Sequence, residues 1–111
     1  MSIIVKVLVP PRQITNVQTT QYTAVNCRAI IDKFTATNTS TNIVGVSVNL
    51  VNGGDPSGMS NLMVNNRMIA PGETYTFPEL VGHVIDMNGF ISTIATTANV
   101  LTVRVSGREI V

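Results

Sequence analysis

The most regular stretch of the chain is Val44-Gly45-Val46-Ser47-Val48-Asn49-Leu50, where apolar residues alternate with small or polar ones. A period of two sends successive side chains to opposite faces of a strand, so Val44, Val46, Val48 and Leu50 form a core face and Gly45, Ser47 and Asn49 the other. Leu101-Thr102-Val103-Arg104-Val105-Ser106 repeats the pattern. It turns Leu101, Val103 and Val105 inward and leaves Arg104 to reach solvent or a neighbouring subunit, in a strand that ends near Gly107. Between Cys27 and Thr39 the phase is mixed: Ile30, Phe34 and Ala36 share one face and Ile31 falls on the other. Asp32 then points inward unless a bulge re-aims it, so a strand is predicted here without a register.

The polar segments between these runs read as turns. Asn38 to Asn42 is an Asn/Thr/Ser run at hairpin distance, which predicts antiparallel pairing of the strands on either side. Asn52 to Gly58 holds three glycines and a proline, and its lack of apolar periodicity marks it as the most mobile loop. Ala70-Pro71-Gly72-Glu73 fits a type II turn between a strand over Leu62 to Ile69 and a short one over Thr74 to Phe77. Pro78 to His83 suggests a single helical turn, with Leu80 and Val81 plugging one end of the core. Asp86 to Gly89 is a turn into a strand over Phe90 to Ala95, and Thr97-Ala98-Asn99 is a tight connection into the last strand. About seven to nine short strands at this spacing, with no helical window and no fixed repeat, predict an all-β fold: one antiparallel β-sandwich.

The N-terminus departs from the alternating pattern. Ile3, Val5, Val7 and Val9 form one apolar face, and Ile4 and Leu8 make the opposite face apolar too. Left as an exposed edge, such a strand is an aggregation hazard, so it needs cover on both sides. Either it lies in its own core, or it is an extended arm that adds to a neighbouring subunit's sheet, with Pro10-Pro11 as a stiff hinge. Residues 1–21 are therefore set apart as an N-terminal strand or arm, and residues 22–111 as the β-sandwich domain. Lys6 interrupts the apolar run and no basic segment precedes it, so neither a signal peptide nor a membrane anchor is expected.

Composition narrows the function. Charged residues make up 12% of the 111 residues and the net charge is +1, too little basic field to bind nucleic acid through its phosphates. A single cysteine, Cys27, cannot close an internal disulfide and is expected as a buried apolar group. Pairing it with His83 as a nucleophile and base has no supporting sequence context, so no catalytic residue is assigned. Asp55 alone in the glycine-rich loop falls short of a calcium ligand set, and Gly53-Gly54 lacks a phosphate-loop spacing, so no metal or cofactor site is expected. A glycan-binding module is the alternative function, weakened because Tyr22, Tyr75, Phe34, Phe77 and Phe90 are the only aromatics and the core needs several of them.

Several segments carry a resemblance. Tyr22-Thr23-Ala24, Ala29-Ile30-Ile31, Thr35 to Ser40, Ile69 to Thr76, Pro78 to Gly82 and Val103 to Ile110 together resemble a small β-sandwich type that recurs among structural proteins of tailed bacteriophages. They describe a scaffold rather than a site. The resemblance implies a virion structural protein, assembled in the host cytoplasm, that decorates a capsid, joins head to tail or attaches fibres. Its expected partners are copies of itself and other virion proteins, with no membrane and no nucleic acid bound. The expected contact residues are Ile3, Val5, Val7, Val9, Pro10 and Pro11 of the arm, Gly53, Gly54, Asp55 and Met59 of the loop, and Arg104 and Arg108 on the last strand.

Overall fold

The computed structural model describes residues 1–111 and contains nine strands and no α-helix. In chain order these are β1 (Ile3–Gln13), β2 (Thr19–Thr23), β3 (Arg28–Asn38), β4 (Val44–Val51), β5 (Leu62–Ile69), β6 (Thr74–Tyr75), β7 (Val84–Ile85), β8 (Phe90–Ala95) and β9 (Leu101–Ile110). A 3₁₀ turn, Met59–Asn61, precedes β5. One sheet runs β1-β9-β3-β6, with β7 pairing a second stretch of β3; the other runs β2-β8-β4-β5. Every pairing is antiparallel. The two sheets face each other across one apolar core, which makes the chain the β-sandwich the alternation predicts.

Phe34, Phe77, Ile31, Ile69, Leu80, Ile91 and Leu101 fill that core, none more than 1% exposed. Burying each such side chain contributes roughly 1.5–3 kcal/mol, so the sheets are held together chiefly by this layer. Leu101, Val103 and Val105 of β9 and Val44, Val46 and Val48 of β4 point into it as their alternation requires. In β3 a register shift between Ile31 and Lys33 resolves the mixed phase. The bulge lets Ile31 and Phe34 both face inward, leaves Ile30 half-buried, and turns Asp32 out to Arg108.

Four local expectations are corrected. The Asn38–Asn42 run does not join a hairpin: β3 and β4 belong to different sheets, and the run is the corner between them. Buried Asn38 builds that corner, donating to the carbonyls of Asn42 (2.7 Å) and Ile69 (2.9 Å) and accepting from the Ser40 amide (2.9 Å) and hydroxyl (2.7 Å). The last strand does not stop near Gly107 but continues to Ile110. Glycine is needed there because a Cβ would lie 2.1 Å from the Ile30 carbonyl oxygen of β3.

The short strand after the Gly72 turn ends at Tyr75. Phe77 takes a left-handed φ of 44°, which rotates its ring into the core 4.7 Å from both Phe34 and Tyr75. Residues 78–83 then form successive turns, closed by Leu80 N–H to Phe77 O and His83 N–H to Leu80 O. Leu80 plugs the core, but Val81 is 46% exposed.

Candidate interaction surface

The N-terminal segment is part of its own chain's sheet. β1 pairs with β9 from Ile3↔Ile110 to Gln13↔Thr102, and residue 21 lies inside β2, which pairs with β8. Register shifts between Val7 and Val9 and between Val9 and Arg12 bend the strand. They carry Leu8 and Val9 into the core, which corrects the grouping of Val9 with Ile3, Val5 and Val7. Pro10 and Pro11 are exposed and lie within β1 at the second shift. A strand edge that faces solvent tolerates proline, since no ladder donor is lost there.

Lys6 lies opposite Gly107 and, half-exposed, anchors β1 through a polar cluster at the end of the sandwich. Its Nζ donates to Glu109 Oε1 at 3.2 Å, and the Tyr22 hydroxyl donates to Glu109 Oε2 at 2.5 Å. Three strands, β1, β2 and β9, are thereby tied to one carboxylate. The Tyr22 hydrogen bond, assisted by Lys6, holds the Glu109 carboxyl below its ordinary pKa. Burial first, and then the bond to Glu109, raises the Tyr22 phenol far above its ordinary value. Cys27 is buried against the same hydroxyl at 3.8 Å. His83 lies elsewhere, lining an open cleft of about 290 Å³ with Leu50, Met63 and Ile85. No three His, Cys, Asp or Glu residues are grouped to hold a metal ion.

Residues paired across an antiparallel ladder share a face. Val5 lies opposite Arg108, Arg108 opposite Ile30, and Ile30 opposite Val84, so one row crosses four strands on the outer face of the five-stranded sheet. A neighbouring row places Ile3 beside Ile110, and another places Val7 beside Ser106. The result is an apolar, mostly β-branched patch bordered by Arg28 and Lys33, which continue the Ile110 and Ser106 rows, and on it Val5 is 84%, Ile3 58% and Val84 56% exposed. Arg108 crosses it as a bidentate pair with Asp32, at 3.0 and 2.9 Å, and that bond raises its pKa further. Arg104 projects from the same face, opposite Thr35, and forms no ion pair.

The glycine-rich loop belongs to the other sheet, between β4 and β5. Asp55 N–H closes a turn on Asn52 O, with Gly54 at a φ of 89°. Hydrogen bonds tie the loop to β4 and to the 3₁₀ turn. Asn49 donates to Gly58 O (2.9 Å) and Asn61 Oδ1 (2.8 Å), and Asn61 donates to Pro56 O (3.0 Å). Asn49 is thus buried on the face that alternation assigned to solvent. Met59 stands 93% exposed above it.

The structure therefore divides the expected contact residues between two surfaces. Ile3, Val5, Val7, Arg104 and Arg108 share one; Gly53, Gly54, Asp55 and Met59 occupy the other. Ile30, Val84 and Ile110 of the apolar surface were missed, because the bulge at Asp32 hides the phase of Ile30 and two residues of β7 are too few to show a period. Comparisons of the chain with family models, with curated proteins and with solved structures find no match.

Proposed function

We propose that the chain is a structural component of a bacteriophage virion, at a capsid-decoration, head-tail or fibre-attachment position, working through protein-protein packing. The observation that carries the packing role is the outer face of the five-stranded sheet. Ile3, Val5, Val7, Val84 and their half-buried neighbours Ile30 and Ile110 group apolar side chains that solvent-facing sheet surfaces usually scatter singly, and such grouping marks a contact surface. The virion setting rests on the scaffold segments quoted above.

A glycan-binding module has less support. Phe34, Phe77 and Tyr22 are taken up by the core, and Tyr75 is covered by the Arg67 guanidinium 4.1 Å from its ring centre. A sugar platform needs an open aromatic face.

The test is mass spectrometry of purified phage particles from the lysate in which the chain is made. The expected result is recovery of its peptides in fixed proportion to a head, neck or tail protein. Recovery only from the soluble fraction refutes the proposal.

A further inference from the structure

We infer that β1 is the site at which a second copy of this chain binds, edge to edge and antiparallel about a two-fold axis centred on Val5, making one continuous sheet from two five-stranded ones. This specifies the partner for the packing role proposed above and rests on that reading.

The hydrogen-bond phase of β1 supplies the argument. Ser2 and Val111 exchange reciprocal main-chain bonds, Ser2 N–H to Val111 O at 2.8 Å and Val111 N–H to Ser2 O at 2.9 Å. In an antiparallel ladder bonded pairs alternate with unbonded ones, so Ser2, Ile4 and Lys6 turn their main-chain groups to β9. Ile3, Val5 and Val7 turn theirs to the open edge, because β1 is the terminal strand of its sheet. Such a row, otherwise bonded to water, is a template for another extended strand.

Edge strands are commonly blunted by proline, charge or a bulge. In β1 most of these devices come after Val7: the first register shift, then Pro10, Pro11 and Arg12. Residues 3–7 carry one, Lys6, which is half-exposed and has its charge paired with Glu109.

The occupant follows from self-complementarity. Centred on Val5, a two-fold pairs Val5 with Val5 of the second copy and Ile3 with its Val7 in both directions. Every free group on residues 3, 5 and 7 is then bonded, and every outer-face pair is apolar and β-branched, as strand pairing favours. Lys6 falls opposite Ile4 of the second copy. Centring on Lys6 instead would oppose two ammonium groups, and centring on Ile4 would set Val7 opposite Met1, outside the strand. The two outer apolar surfaces would also become continuous across the junction.

The test is sedimentation equilibrium of the full chain, with amide exchange followed by NMR above and below the association range. A dimer is expected in which the Ile3, Val5 and Val7 amides exchange slowly only when associated, while those of Ile4 and Lys6 are slow throughout. Val5→Pro removes a donor that β9 does not use, so the fold should persist. Losing the two central bonds should weaken the dimer by about 30-fold or more. Val5→Lys, which keeps the main chain intact, should weaken it too by placing like charges opposite each other, and it decides the matter if the proline variant does not fold.

A wild-type chain that stays monomeric, or a dimer indifferent to both substitutions, overturns the inference. The two readings fail separately. A chain that dimerises with this exchange pattern but is missing from phage particles refutes the virion setting alone. A particle-bound chain whose edge amides stay unprotected in solution refutes the pairing alone.

Discussion

Replacing Tyr22 by phenylalanine removes one hydroxyl and leaves the ring packing of a residue that is only 9% exposed. The hydroxyl donates to Glu109, whose side chain is 12% exposed and whose other partner, Lys6, is itself 50% exposed. A hydrogen bond to a charged group contributes roughly 1.5–3 kcal/mol, and a half-exposed ion pair seldom exceeds about 1 kcal/mol. Tyr22→Phe should therefore cost about 2 kcal/mol at pH 7, read as a drop of about 1–2 M in the urea midpoint.

The cost should depend on pH at both ends. The Glu109 carboxyl titrates below its ordinary value in the folded chain, so its contribution is present above the unfolded carboxylate pKa of about 4.3 and is lost as pH falls through the folded value. The Tyr22 phenol is raised, so its contribution is complete below the unfolded value of about 10 and is lost as pH rises beyond that. Urea titrations of both proteins from acid to alkaline pH should show the gap widest near neutrality and closing toward each extreme. A gap that is equal at pH 7 and in acid, or below about 0.5 kcal/mol at neutrality, would refute the role given to this cluster.

Two further substitutions test the fold. Gly107→Ala places a methyl group 2.1 Å from the Ile30 carbonyl oxygen, whereas Gly45→Ala meets first the Asn66 side-chain oxygen, at 2.0 Å. Backbone cannot step aside as a side chain can, so thermal unfolding should show Gly107→Ala losing about 2–3 kcal/mol and Gly45→Ala less than about 1; equal losses would contradict the close approach of β3 to β9. Asn38→Ala should cost about 2–4 kcal/mol in chemical denaturation, because it strips partners from buried main-chain groups at the corner; a loss under 1 kcal/mol would mean that water takes over that role.

The alternation of Val44 to Leu50 and of Leu101 to Ser106 determined by itself that the chain is all-β and that Val44, Val46, Val48, Leu101, Val103 and Val105 face the core, while Asn49 and Leu50 follow the register shift in β4 instead. That pattern is local, since burial on one face imposes a period of two whatever the strand pairs with. The same is true of the Ala70–Glu73 turn, where Gly72 has the positive φ of 75° that its place in a type II turn demands. Buried Cys27 follows from its chemistry as a small apolar group.

Pairing is a different kind of information. Whether Asn38–Asn42 joins a hairpin or a corner depended on a carbonyl at Ile69, far along the chain. Whether Gly107 ends a strand or lets two strands approach depended on Ile30. The phase of β3 was set by a bulge that only its ladder with β9 reveals. The outer apolar surface joins Val5, Ile30 and Val84 across four strands, and the anchoring of Lys6 by Glu109 spans almost the whole chain. Long-range registers of this kind are fixed when both sheets close over one core at once, so local sequence could name the apolar residues of the N-terminus while only the tertiary structure decided which of them remained exposed.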